Sequence, residues 1–335
     1  MVETIYQPAA TRYEAGMDYR RSGQSGILMS RFSLGFWHNF GSISVFDNAK
    51  KMMEAAFDRG ITCFDLANNY GPAYGTAEQT FGRLMDLSFR PYRDEMFITT
   101  KAGYDMWPGP YGNWGSRKYL LSSLDQSLKR LRLDYVDLFY SHRYDPNTPL
   151  DETLGALVTA VRSGRALYAG ISNYPKEAAA YAYQYLKAHE TPCLCYQGKL
   201  NLLVRQHTAP GDILDLSAAN GVGYVAFSPL AEGLLTDRYL AGIPSDSRMA
   251  RREHLVPEAL TPALLARLKT FAQLAAARGE TPAETALAWV LQDPRVTSVI
   301  LGTSSVRQLE ANLRALKAAP FTSEERTAIE TALAV

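Results

Sequence analysis

Short runs of β-branched and aromatic residues recur along the chain, and each is followed by a segment in which apolar positions return every three or four residues. The strand-like runs are 32–37, 61–67, 96–102, 135–142, 166–173, 193–197, 223–229 and 297–302. Amphipathic helices are predicted over 47–59, 117–131, 150–162, 176–189 and 263–278, with Asp47 and Ser116 as N-caps and Gly60 and Gly164 as C-terminal stops. Alternation of strand and helix favours a parallel sheet covered by helices, and eight repeats favour closure. The predicted fold is therefore an α/β (β/α)8 TIM barrel. Residues 16–30 read as a β-hairpin at the barrel floor, and the long segment before the last strand holds extra helices and a loop at 237–252. No composition shift marks a linker, so residues 1–335 are expected to form one domain.

Composition narrows the function classes. With 35 basic and 34 acidic residues the net charge is +1, so no global field draws the chain to nucleic acid or to an anionic membrane. The N-terminus has no secretory or twin-arginine pattern, and no run approaches the roughly 20 apolar residues a membrane span needs. The three cysteines, Cys63, Cys193 and Cys195, lie in strand-like runs and not at disulfide or zinc spacings, which fits a reducing, cytoplasmic setting. Cys193 and Cys195, two apart, are expected to share a strand face as core residues. His38, His142, His189, His207 and His254 form no metal-ligand pattern, so no metal is expected. Residues 221–226 (GVGYVA) match a dinucleotide-binding glycine pattern but precede a strand instead of joining strand to helix, and are set aside.

Barrel active sites gather where strands end at their C-terminal side. The polar residues there are Asp65, with Tyr70 just beyond, then Lys101, His142, Ser172 and Asn173, Gln197, and Ser228. A tyrosine, with a reference pKa of about 10, needs a nearby cation to favour its phenolate. Lys101 is the expected cation, Asp65 would keep it charged and aimed, and His142 would hydrogen-bond a carbonyl oxygen as charge builds on it. Each residue alone has a bland reading, as a turn, core or surface group. Four suitable types on successive strand ends make a proton donor with an oxyanion site the sharper reading.

The stretches FDLANNYGPAYGTAE (64–78), TTKAGYDMWPGPYGNWGSRKYLLSSLDQSLKRL (99–131), DLFYSHRYDPNTPLDET (137–153) and ALYAGISNY (166–174) closely resemble the aldo-keto reductases, within them the branch holding L-glyceraldehyde 3-phosphate reductases and voltage-gated potassium channel β-subunits. The resemblance runs from about residue 17 to 318. It implies NADPH-dependent reduction of aldehydes or ketones, with Tyr70 as general acid and Asp65, Lys101 and His142 completing a tetrad. It further implies that Ser172, Asn173 and Gln197 hold the nicotinamide carboxamide and that Phe227 stacks on the ring. Ser228, Pro229, Leu230, Gly233 and Leu234 would wrap the pyrophosphate, and Gly302, Ser304, Gln308 and Asn312 would meet the adenosine end. Channel β-subunits carry Asn where this chain has His142, which favours turnover.

The chain departs from the family pattern in three places. Asp237-Arg238-Tyr239 stands for a common Gly-Lys-Tyr; Ala311 and Ser305 stand where Glu and a basic residue are usual; and Gln197-Gly198-Lys199-Leu200-Asn201 replaces Gln-Pro-Ser-Tyr-Asn. Arg238, Arg248 and Arg307 are the candidates for a 2′-phosphate. Trp37, Trp107 and Arg143 are expected around a small aldehyde, with Arg143 placed to pair with a phosphate, so glyceraldehyde 3-phosphate and methylglyoxal are reasonable substrates. Assemblies are common in this branch, and a homo-oligomer is in keeping with the resemblance. A cofactor-sensing binding subunit and a barrel isomerase or lyase without nicotinamide are the alternatives.

Overall fold

The structure, a computed structural model, describes residues 6–253 and 255–334; His254 lies outside the described residues. A two-stranded antiparallel sheet, β1 (Tyr19–Arg21) and β2 (Leu28–Ser30), precedes the barrel. The barrel strands are β3 (Phe32–Gly35), β4 (Cys63–Asp65), β5 (Phe97–Ala102), β6 (Val136–Ser141), β7 (Ala166–Ser172), β8 (Cys193–Lys199), β9 (Gly223–Phe227) and β10 (Val296–Leu301). They pair in parallel and close in the order β10-β3-β4-β5-β6-β7-β8-β9. All eight predicted strands are present, with β8 extending past Gln197 to Lys199.

The surrounding helices are α1 (Phe46–Asp58), α2 (Thr76–Leu84), α3 (Arg117–Leu131), α4 (Leu150–Arg162), α5 (Lys176–Ala188), α6 (Ile213–Ala219), α7 (Pro262–Ala277), α8 (Pro282–Leu291), α9 (Val306–Leu313) and α10 (Ser323–Ala332). Helix α3 shows why they form. Its buried positions Tyr119, Leu120, Ser123, Leu124, Ser127 and Leu131 recur at helical spacing, and the Ser116 hydroxyl caps it by accepting from Tyr119 N. Burying each such leucine contributes about 1.5–3 kcal/mol. Gly60 and Gly164 adopt left-handed φ of 79° and 72° just past α1 and α4, as helix stops require. Helices α7 and α8 fill the long segment between β9 and β10.

Two local expectations are corrected. Asp47 is not an N-cap: α1 begins at Phe46, whose ring packs on the core beneath the Arg83 guanidinium 4.0 Å away, and the preceding Val45 offers no capping side chain. Asp47 sits in the first turn instead, where its charge favours the helix dipole. Cys193 and Cys195 do not share a packing environment, because the β7–β8 register slips between them: Ala169 pairs with Cys193 and the next residue, Gly170, pairs with Cys195. This is a β-bulge. Cys195 packs inside the barrel with Met29, Cys63, Leu138 and Tyr140, whereas Cys193 packs in the layer beneath the helices.

The hairpin meets the barrel where strands begin. Ser22 Oγ donates to Leu194 O (3.0 Å), Gln24 N to Gly221 O (2.9 Å), and Arg20 Nη1 to Asp293 O and Val296 O (3.0 and 2.8 Å). The opposite mouth is left to the loops that follow each strand.

Candidate active site

Parallel strands bring their C-terminal ends to one mouth, so residues far apart in sequence converge there. Asp65 ends β4, Lys101 lies near the end of β5, and His142 follows β6 directly. Lys101 is fully buried, and its Nζ donates to Asp65 Oδ2 (2.7 Å), Leu66 O (2.6 Å) and Tyr70 Oη (3.4 Å). Asp65 Oδ1 accepts from Thr99 Oγ1 and Gln197 Nε2, each at 2.9 Å. The Tyr70 ring stands 5.8 Å from the His142 ring and 6.5 Å from that of Trp37. His142 is buried with no partner on Nδ1, while its main-chain oxygen accepts from Asn173 Nδ2 (3.1 Å).

The electrostatics differ from the sequence expectation in one respect. Tyr70 is held well above its ordinary pKa of 10, first by burial and then by the Asp65 charge, so the nearby Lys101 does not bring the phenol to a phenolate in the resting site. Burial also lowers Lys101, with Asp65 opposing the shift. His142 is pushed well below 6.5 by burial and by Lys101 and Arg143. At neutral pH the site therefore presents a protonated phenol and a neutral imidazole. An ammonium cannot accept a hydrogen bond, so the Tyr70 proton is left for an acceptor in the cavity.

A cavity of about 400 Å³ runs from Asp65 and Tyr70 to the start of α9. Of the residues singled out by sequence, Trp37, Phe227, Ser228, Pro229, Leu230, Gly233, Arg238, Arg248, Gly302, Ser304 and Gln308 line it. Glu232, Thr236, Asp246, Arg251 and Asn39 line it too, and sequence reasoning missed them. Ser228, Ala231 and Glu232 take left-handed φ values of 52°, 46° and 59°, a concentration of strain at the cavity wall.

Ser172, Asn173 and Gln197 are not among the residues that line the cavity, and are joined by bonds from Asn173 Nδ2 to Ser172 Oγ (3.1 Å) and from Asn173 N to Gln197 O (3.3 Å). Leu234 is core, and Arg307 is exposed on α9. Asn312 is buried on α9 with its Nδ2 unpartnered. Trp107 lies apart, in a separate rim cleft with Tyr74 and Trp114, its ring 5.2 Å from Tyr119. Arg143 donates from Nε to Gly103 O and from Nη2 to Asn113 Oδ1, both at 2.7 Å. No group of three or more His, Cys, Asp or Glu able to hold a metal occurs among the described residues.

The aldo/keto reductase family model matches residues 31–334. The chain belongs to the aldo/keto reductase family. It is 52% identical over 322 residues to the L-glyceraldehyde 3-phosphate reductase of Escherichia coli K12, covering 95% of this chain and 93% of that protein. It is 34% identical over 316 residues to a probable voltage-gated potassium channel subunit beta of Oryza sativa subsp. japonica, covering 92% and 94%. A probable channel subunit beta of Arabidopsis thaliana is 34% identical over 312 residues, covering 91% and 93%. As an aldo/keto reductase the chain is an oxidoreductase of a family that uses nicotinamide cofactors. No helix among the described residues is long and apolar enough to cross a membrane.

The residues present fit such a cofactor on three structural observations. The cavity reaches from Asp65 and Tyr70 to α9, its wall carries the arginines Arg238, Arg248 and Arg251 among the carboxylates Glu232 and Asp246, and buried polar atoms on His142 and Asn312 lack partners.

Proposed function

We propose that the chain reduces small aldehydes and ketones to alcohols with NADPH, on substrates such as glyceraldehyde 3-phosphate or methylglyoxal, with Tyr70 as general acid. The observation that carries this reading is the bridge of Lys101 between Asp65 and Tyr70 at the head of the long cavity. The cofactor, when bound, supplies the hydride. Tyr70 keeps its proton at neutral pH and delivers it to the carbonyl oxygen. His142, neutral, donates an N–H to the same oxygen, and Lys101 stabilises the phenol oxygen as its proton leaves. Asp65 holds Lys101 charged within a buried setting.

Ser172, Asn173 and Gln197 would hold the carboxamide, Phe227 would stack on the nicotinamide, residues 228–234 would follow the pyrophosphate, and Gly302, Ser304, Gln308 and Asn312 would receive the adenosine. Trp37 beside Tyr70 forms the near wall for substrate. Three buried, unpaired thiols support a cytoplasmic setting.

The test is NADPH oxidation followed by absorbance with glyceraldehyde 3-phosphate, methylglyoxal and 4-nitrobenzaldehyde, for wild type and Tyr70→Phe. Turnover that falls by about 10²–10⁴ in the variant supports the reading. The similarity to channel β-subunits favours one other reading, a cofactor-sensing binding subunit. NADPH binding without turnover on any aldehyde would select it.

A further inference from the structure

The segment between β5 and α3, residues 103–116, is folded on itself. Met106 N donates to Gly112 O (2.9 Å), Trp114 N to Gly103 O (3.3 Å) and to Asn113 Oδ1 (2.7 Å), and Gly115 N to Asp145 Oδ2 (3.0 Å). The Asn113 amide also donates to Asp105. Gly112 admits no side chain, since a Cβ there would stand 1.9 Å from Trp107 O.

Arg143 joins the two ends of this loop. Its Nε donates to Gly103 O at the start and its Nη2 to Asn113 Oδ1 near the end. Its guanidinium carbon lies 3.5 Å from the Trp114 ring centroid and 4.3 Å from that of Tyr104. The Tyr104 ring in turn meets the His142 ring edge-on at 4.8 Å, and His142 faces Tyr70 on its other contact. Trp114, Arg143, Tyr104, His142 and Tyr70 thus form one continuous chain of cation–ring and edge-to-face contacts from the loop to the proton donor. No carboxylate pairs with Arg143 among the described residues; two neutral oxygens and two aromatic rings take that place.

Resting on the reductase reading, we propose that Arg143 is a positioning residue: it staples the β5–α3 loop and, through Tyr104, fixes the His142 ring, and it does not bind the anionic group of a substrate. A planar guanidinium is suited to this because it donates in its plane while its face meets the rings. Lysine makes neither the pair of in-plane bonds nor the stack. The consequence for specificity is that an aldehyde and its phosphorylated form depend on Arg143 equally.

The experiment compares wild type, Arg143→Met, Arg143→Lys and Asn113→Ala. In steady-state kinetics with glyceraldehyde and glyceraldehyde 3-phosphate, both Arg143 variants should lose about tenfold or more in kcat, by the same factor on both aldehydes, with little change in KM. Asn113→Ala, which keeps the Arg143 charge and removes one of its two tethers together with the Asn113 bonds to Trp114 N and Asp105, should give a loss of the same kind. Hydrogen exchange on the proteins without substrate should speed up by about tenfold or more at the Met106 and Trp114 amides in both Arg143 variants, with the barrel strands unchanged. A rise in KM confined to the phosphorylated aldehyde would make Arg143 an anion-binding residue and overturn the proposal. Unchanged exchange at Met106 and Trp114 would overturn it as well. If wild type reduces neither aldehyde, the reductase reading fails, and the exchange experiment still decides whether Arg143 staples the loop.

Discussion

Gln197 Nε2 lies 2.9 Å from Asp65 Oδ1, a hydrogen bond that joins β8 to β4, strands four places apart in the closed order whichever way the barrel is followed. It spans the mouth. Thr99 gives the same oxygen a second donor, and Lys101 occupies the other oxygen, so the buried carboxylate is fully engaged. Gln197→Leu leaves part of that charge unmet at a cost of about 1–3 kcal/mol. The expected result is a fall in kcat of about tenfold or more with weaker NADPH binding, read by steady-state kinetics and fluorescence titration. Wild-type values in both would show that the bond has no part in the chemistry.

Acid stability should depend on His142. Its folded pKa is lowered well below 6.5, so below that pH the unfolded chain takes up a proton that the folded chain does not, and stability falls as pH falls. The slope from this one group is at most about 1.4 kcal/mol per pH unit. His142→Gln should therefore lose less Tm than wild type between pH 7.5 and 5.5, as followed by circular dichroism. An equal loss in both proteins would mean that His142 is not kept neutral by its surroundings. His207, also lowered by burial, contributes the same sign in both and cancels in the comparison.

Gly82, in the last turn of α2, lies against the C-terminal end of α3. A Cβ there would meet Arg130 O at 2.2 Å and the Leu131 carbonyl at 3.0 Å, both backbone atoms that cannot swing aside. Alanine would gain about 1 kcal/mol in helix propensity. Overpacking costs about 1–3 kcal/mol and, against backbone, the clash should win. Gly82→Ala is expected to lower the denaturant midpoint at unchanged m; a higher midpoint would show that α2 can shift away.

Arg248 lines the cavity, partly buried, with burial lowering its pKa against the pull of Glu232 and Glu253. If it meets the 2′-phosphate, Arg248→Ala should weaken NADPH by about tenfold or more and leave NADH within about threefold. Equal weakening of both cofactors, measured by fluorescence titration, would place the 2′-phosphate elsewhere, with Arg238 the next to test.

Most of the fold was legible because its signals are periodic. The helices at 117–131 and 150–162 fall on their predicted bounds, since apolar spacing runs unbroken to each end. The tetrad's convergence was legible for a related reason: parallel strands must bring their C-terminal ends together. Thr99 carried a readable sign, standing two residues before Lys101 on the same strand face. Tyr104 carried none, because it lies in a loop bonded to Arg143, a residue from the loop after β6. The sign of the Tyr70 shift was not legible either. It depends on how much of the phenol burial the Lys101 charge offsets, and sequence gives the neighbours without the depth.

The slipped pair on β8 has a consequence at the mouth. Along a strand, side chains alternate between the barrel lumen and the helical layer, so Cys193 facing the helices would send residue 197 the same way. The surplus residue resets the alternation: Leu194 and Cys195 both turn to the lumen, Tyr196 turns out, and Gln197 turns in to reach Asp65. An irregularity in the lower half of one strand thus sets the phase of its upper half, and the aim of an active-site amide is decided several residues before the amide is reached.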